Sequence, residues 1–219
     1  MFCGQLISSE IILQGLKDSV GIVLHQMEDL KVRHLPVADG EKFLGLIAED
    51  DLQDETDDTP LEKLQDYFIK SFVTINDYFL VAVKISHMMN IDVVPVLNEK
   101  KELEGVITRE ALYRELARMT GSEEYGSLIV LEMERKDYSV GTINRLVESN
   151  DAIITQLNTW ADPASHMLTV ILRINKEEIS DIVATFQRHE YTVRYYLGEE
   201  LFRNELQSNL DHLMNYLNI

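Results

Sequence analysis

One stretch of this chain occurs twice. His34-Leu35-Pro36-Val37, followed by Gly45-Leu46-Ile47-Ala48-Glu49-Asp50-Asp51-Leu52, returns as Val93-Val94-Pro95-Val96, followed by Gly105-Val106-Ile107-Thr108-Arg109-Glu110-Ala111-Leu112. Pro36 and Pro95 stand 59 residues apart and Gly45 and Gly105 stand 60 apart, so the second copy carries one extra residue in its turn. Upstream, Asp18 precedes Pro36 by 18 residues, and Asp77 precedes Pro95 by the same 18. Self-similarity at such a period marks a duplicated supersecondary unit. A unit of about 55 residues buries little surface alone, so the two copies are expected to pack face to face.

Each copy reads in the same order. In the first, a short apolar piece (Ile11-Ile12-Leu13) and the turn residue Gly15 lead to a helix capped by Asp18 or Ser19, with Val20, Val23, Leu24 and Met27 at helical spacing. Residues 32–37 and 43–47 read as strands around the hairpin turn Asp39-Gly40, and a second helix is expected to begin over 49–52. In the second, residues 72–75 lead in and Asn76-Asp77 caps a helix over 80–89. Strands over 91–97 and 103–107 follow, and a closing helix over 109–118 puts Leu112, Leu116 and Met119 on one face.

This duplicated order, the apolar-Pro-Val strand and the Gly-x-x-Thr/Ser-x-x-Asp type of segment resemble the CBS domain, which occurs as tandem pairs called Bateman modules. The resemblance spans residues 1–58 as one repeat and 59–120 as the next. It implies a cleft for an adenosine nucleotide, in which a hydroxyl meets phosphate at a helix N-terminus and a carboxylate accepts from the ribose hydroxyls. The first copy keeps Asp51 for the ribose but has Ala48 in place of the hydroxyl. The second keeps Thr108 but has Ala111 in place of the carboxylate. Arg109 would add a phosphate contact, and His34 and Val94 would lie beside the adenine. The competing reading makes Thr108 a plain helix cap and Asp51 a surface residue. AMP, ADP, ATP or S-adenosylmethionine is the ligand class the resemblance implies.

Past the polar linker 121–126 the rhythm changes. Strands over 127–133, 152–160, 167–174 and 191–197 alternate with a helix over 139–149 and a helix capped by Asn175, with Ile179, Ile182, Val183 and Phe186 as its apolar stripe. The order β-α-β-β-α-β is the ferredoxin-like arrangement, and over 127–198 it resembles an ACT domain, a module that often binds amino acids. Tyr138 stands where that family's turn has a glycine, and its side chain would crowd a ligand there. The tail, 199–219, places Leu206, Leu210, Leu213, Met214 and Leu217 at helical spacing. It is expected to form an amphipathic helix that packs on the sheet or joins a dimer seam. The fold class expected is thus α+β: a tandem CBS pair, an ACT-like domain and a terminal helix, an architecture that resembles the AcuB-type acetoin-utilisation proteins.

Charge and composition narrow the function. A net charge of −18 over 219 residues argues against nucleic acid and against an anionic membrane surface as partners. No apolar run is long enough to span a bilayer, and the first residues do not read as a signal peptide. The single cysteine, Cys3, suits a reducing compartment, so a cytoplasmic protein is expected. The acidic run 49–58 lacks the glycine and ligand spacing of a calcium loop. The six histidines show no metal-type pairing, and neither a phosphate-loop lysine nor a nucleophile elbow occurs. No enzyme and no bound metal are expected. The reading is a regulatory homodimer that senses an adenosine nucleotide and acts on a regulated protein partner. The alternatives are a ligand-free interaction module and amino-acid sensing by the ACT-like part.

Overall fold

The duplication in the sequence is a duplication of strand pairing. Repeat 1 consists of β1 (Gln14–Gly15), α1 (Val20–Leu30), β2 (His34–Asp39) and β3 (Lys42–Ala48); repeat 2 consists of β4 (Val73–Thr74), α2 (Phe79–Met89), β5 (Val93–Leu97), β6 (Leu103–Thr108) and α3 (Arg109–Met119). In each, a two-residue strand runs parallel to the middle strand, which pairs antiparallel with the returning one. The structure is a computed structural model and describes residues 1–8, 13–122 and 124–198. The expected C-terminal helix (199–219) and Ile11-Ile12 lie outside the described residues. The chain divides into two compact units, 1–117 and from 118 onward.

The two repeats exchange segments. Leu46 N donates to Ile69 O and Ile69 N to Leu46 O, both at 2.9 Å, so a segment from just before repeat 2 adds to the sheet of repeat 1. Symmetrically, Ser8 N donates to Val106 O at 2.8 Å, so the segment before repeat 1 adds to the sheet of repeat 2. Leu46 lies opposite Pro36. Because its backbone groups turn to Ile69, the missing N–H of the proline leaves no ladder bond unmade. These approaches are why glycine stands at 45 and 105. A Cβ at Gly45 (φ +154°) would lie 2.6 Å from Phe68 Cβ, and one at Gly105 (φ +149°) would lie 2.4 Å from Ile7 Cγ2.

The exchange also supplies the helix caps. Val20 N donates to Thr59 O at 2.9 Å and Gly21 N to Asp57 O at 3.0 Å, while Phe79 N donates to Met1 O at 3.1 Å. The orphan amides of α1 and α2 are thus met by backbone carbonyls. Of the two caps expected for α1, Ser19 takes the N-cap position without a side-chain hydrogen bond, while Asp18, like Asp77 in repeat 2, closes the preceding turn: Asp18 accepts from Gly15 N and Asp77 from Thr74 N, both at 2.7 Å.

The second helix expected in repeat 1 is not there. Residues Glu49–Asp51 make one 3-10 turn, and a second 3-10 piece, Leu61–Tyr67, follows Pro60. Seven carboxylates and no cation occupy 49–58, and at three- and four-residue spacing like charges oppose a helix. Leu52, Leu61 and Leu64 anchor this connector in the core of repeat 1 beside Val23, Leu35 and Ile47. In α3, good helix formers and the Glu110–Arg114 pair at 2.9 Å carry the helix through.

The second unit has β7 (Ser127–Glu134), α4 (Val140–Glu148), β8 (Ile154–Ala161), β9 (Met167–Ile174), α5 (Ser180–Arg188) and β10 (Thr192–Leu197). Its antiparallel sheet runs β10-β7-β9-β8, the ferredoxin-like order. Alternate residues Ile129, Leu131 and Met133 of β7 and Leu168, Val170, Leu172 and Ile174 of β9 face Ile143, Val147, Ile182 and Phe186 of the helices. Asn175 does not cap α5. Its Oδ1 accepts from Ile153 N at 2.7 Å, and the helix begins five residues later.

Candidate functional site

Thr108 ends β6 just as α3 begins, and its hydroxyl accepts from Ala111 N at 3.2 Å. It thereby takes one of the N–H groups that a helix start leaves without an intrahelical partner. Beside it opens a cleft of about 580 Å³, within the usual range for small-molecule sites. The exchanged N-terminal segment (Leu6, Ile7, Ser8) forms one wall, and Lys31 and Val32 from the end of α1 another. Asp92 and the first turn of α3 close it. The swap and the duplication therefore build this cleft: neither repeat alone supplies its walls.

Its electrostatics are mixed but favour an anion at the α3 end. Lys31, Arg109 and Arg114 face Asp92 and Glu110, and Glu110 is held by Arg114. Among the described residues no carboxylate pairs with Arg109. Asp92 is tied down on both oxygens, with His34 Nδ1 2.7 Å from Oδ1 and Arg33 N donating to Oδ2 at 2.6 Å. Burial pushes the Asp92 carboxyl up. The His34 and Arg33 hydrogen bonds and the His34 charge outweigh it and leave the group below its ordinary value.

The equivalent position in repeat 1 is organised differently. Ala48 ends β3, and Glu49, Asp50 and Asp51 follow in the 3-10 turn. Arg33 grips both oxygens of Asp50 at 2.8 and 2.7 Å and lies 3.4 Å from Glu49. The hydrogen bond and charge of Asp50, then those of Glu49, raise the Arg33 guanidinium further. Arg33 is thus committed to carboxylates.

Of the residues singled out from sequence, Thr108 and Arg109 line the cleft. His34, buried, reaches it through Asp92. Val94 is fully buried in the core of repeat 2 with Val93, Ile107 and Leu112. Asp51 is half-buried in the repeat 1 turn and is not part of this lining. Sequence reasoning missed Asp92, Lys31 and the 6–8 segment. For Asp92 a signal existed: it occupies the place of Arg33, 59 residues on, with the opposite charge.

These features coincide with a family. The profile of the CBS domain matches residues 15–58 and 56–118. A CBS domain-containing protein of Dictyostelium discoideum is 31% identical over 124 residues, which cover 49% of this chain and 86% of that protein. The chain belongs to the CBS-domain family. Among solved structures, a CBS domain pair/ACT domain protein from Thermotoga maritima shares the fold, with a TM-score of 0.50 at 19% identity over 54% of this chain and 98% of that one. A putative acetoin utilization protein (AcuB) from Vibrio cholerae gives 0.48 at 20% identity, over 57% and 96%. The expected tandem CBS pair with an additional domain is what the structure contains. Thr108 of the second repeat lines an open cleft, while Asp51 of the first lies in an acidic 3-10 turn.

The ferredoxin-like unit has a cleft of its own, about 520 Å³, between Glu132, Asp137, Thr142 and His189. Tyr138 leaves the preceding turn half-buried and packs against the core. Ser139 caps α4, accepting from Thr142 N at 3.3 Å. Cys3 is buried. Burial first, and the Asp77 charge next, push its thiol up to about 11, so little reactive thiolate exists at neutral pH. Among the described residues no group of three or more His, Cys, Asp or Glu is placed to hold a metal, and no helix is long and apolar enough to cross a membrane.

Proposed function

We propose that this chain is a non-catalytic regulatory protein whose second CBS repeat binds an adenosine nucleotide, with AMP, ADP, ATP and S-adenosylmethionine as the compounds to compare. The observation that carries the reading is the cleft at the start of α3, where Thr108, the uncommitted Arg109 and Lys31 converge. Phosphate oxygens would accept from the helix-start amides and from Arg109. Asp92 lines the same cleft, and each of its oxygens keeps a lone pair. It therefore stands in for the carboxylate lost at Ala111, accepting from ribose hydroxyls. His34 acts as a positioning residue that fixes the Asp92 carboxylate, and Val94 supports the wall from the core. Asp51 in repeat 1 has no such company, and that repeat holds no nucleotide. The protein works as a cytoplasmic homodimer, in keeping with its free, buried cysteine, and passes the state of the cleft to a protein partner.

A thermal-shift series with the four compounds tests this, because a ligand that binds only the folded state raises the melting temperature with concentration. A rise with an adenosine compound is expected. Thr108→Ala and Arg109→Ala should each weaken it about tenfold, a loss of roughly 1.4 kcal/mol in hydrogen bonds to a charged group. Asp51→Ala should leave it unchanged. A response abolished by Asp51→Ala but not by Thr108→Ala would move the site to repeat 1.

A further inference from the structure

The cation that repeat 1 lends to the cleft stands at an unusual backbone position. Lys31 closes α1 in the left-handed conformation (φ 54°, ψ 42°), with its N–H directed at Glu28 O and Met27 O. Asn90, 59 residues later, closes α2 in the same conformation (φ 50°, ψ 39°). Glycine or asparagine is the ordinary residue there, because a β-carbon crowds the following carbonyl oxygen and a short amide side chain offsets the cost. Lysine brings the strain without that offset. Strain kept at one backbone position points to what its side chain does.

Asp92 fixes where that side chain starts. Its backbone oxygen accepts from Arg109 N at 2.7 Å, and its carboxylate accepts from Arg33 N at 2.6 Å. Both cation-bearing segments are thus bonded to one residue. Arg109 is bonded directly, and Lys31 stands two residues before Arg33, a span of at most about 7 Å of chain. Lys31 and Arg109 line the same cleft, and among the described residues neither is paired with a carboxylate. Amides are scarcer. Arg109 N is given to Asp92 O and Ala111 N to the Thr108 hydroxyl. The start of α3 can therefore hold one phosphate group, and the charge of a second falls to side chains.

We propose that Lys31 makes this cleft selective for a nucleoside di- or triphosphate: Arg109 and the α3 start hold one phosphate, and the Lys31 ammonium, brought in from repeat 1, holds the next. The proposal rests on the nucleotide reading above and names which of its four compounds the site takes. ADP and ATP satisfy both cations with charge-assisted hydrogen bonds. AMP leaves Lys31 without a partner. S-adenosylmethionine, with a sulfonium in place of phosphates, sets a positive charge beside two others.

Isothermal titration calorimetry of the full chain with AMP, ADP, ATP and S-adenosylmethionine, on wild type and on Lys31→Asn, tests the assignment. The variant copies the residue that repeat 2 has at the equivalent place and relieves the backbone, so its melting temperature should hold or rise. Wild type should bind ADP and ATP about tenfold more tightly than AMP, and S-adenosylmethionine most weakly. Lys31→Asn should lose that preference by weakening ADP and ATP about tenfold, with AMP unchanged within about twofold. Lys31→Arg keeps the charge and should retain most of the preference. An equal loss for AMP and ADP in Lys31→Asn, or a wild type that binds AMP or S-adenosylmethionine as tightly as ADP, would overturn the assignment and leave the cleft a nucleotide site. Silence with all four compounds would overturn the nucleotide reading, and the selectivity with it.

Discussion

Repeats 1 and 2 share strand order, register shifts and exchanged segments, yet they part at the residues that follow the return strand. In repeat 2 that segment is α3, with Thr108 at its start and an uncommitted Arg109 beside an open cleft. In repeat 1 it is a single 3-10 turn of Glu49, Asp50 and Asp51, with Arg33 clasped to two of them. The scaffold is held by backbone pairing, which tolerates changes in side-chain charge. The cleft depends on which charges are already paired. Duplication preserved the first and allowed the second to diverge: Arg33 of repeat 1 is held by carboxylates, whereas among the described residues none pairs with Arg109 of repeat 2.

The largest effect should come from breaking what the repeats share. Gly45→Ala places a Cβ against Phe68 Cβ and 3.1 Å from Ile69 O at φ +154°, whereas at Gly105 the close atom is the end of a side chain, Ile7 Cγ2. Strain and overlap at Gly45 should lower stability on the order of 3 kcal/mol. Gly105→Ala should be milder, because Ile7 can turn away. Urea unfolding of the two variants gives the comparison, and equal losses would mean that the two crossings are not distinguished by what they meet.

Next is the link between the repeats. Asp92→Asn keeps the shape but removes the charge that His34 faces, and should cost about 1–2 kcal/mol at neutral pH. The folded Asp92 carboxyl lies below its unfolded value, so its contribution is complete above about pH 4 and is lost as pH falls through the lowered folded value. The melting temperatures of wild type and variant should therefore converge in acid. A gap that stays constant down to pH 2 would assign the loss to packing instead.

How much of this was legible in the sequence follows from what leaves a periodic trace. The duplicated strands, α3 and the order of the second unit rest on apolar spacing, and the structure has them. The exchanged segments do not: Ser8 with Val106 and Leu46 with Ile69 are backbone pairings between distant stretches, and no side-chain period announces them. Val94 was singled out for an adenine contact, but β5 is buried along its whole length, so no alternation separates a core residue from a lining one. The missing helix of repeat 1 was hidden by its own start. Acidic residues suit a first turn, and only the run of seven carboxylates says that the turn stops.

A smaller effect tests α3 itself. Glu110→Gln removes the i, i+4 pair with Arg114, whose side chains are 65% and 80% exposed for Arg114 and Glu110. Exposed helix pairs contribute about 0.3–0.5 kcal/mol, so the melting temperature should move by little more than 1 °C. The variant also releases Arg114 toward the cleft, and nucleotide affinity should hold or rise slightly. A tenfold loss of affinity would show that Glu110 itself contacts the ligand.

The smallest expected effect is the sharpest test of the comparison. Ala48→Thr returns the missing hydroxyl to repeat 1, three residues before Asp51, so that the repeat regains both polar groups of the CBS segment. If side-chain identity at those two positions were sufficient, a second nucleotide site would appear. The structure argues otherwise. The hydroxyl would stand at the head of a single 3-10 turn, where the dipole of a full helix is absent. Glu49, Asp50 and Asp51 follow at once, and the Arg33 guanidinium is already held by Asp50 and Glu49. A phosphate entering there would meet three carboxylates and an arginine already paired with two of them. The nucleotide-induced shift in melting temperature should therefore stay within about 1 °C of wild type, and calorimetric titration should keep a single site per chain. Two sites in that titration would show that charge pairing does not close repeat 1, and that Ala48 alone does.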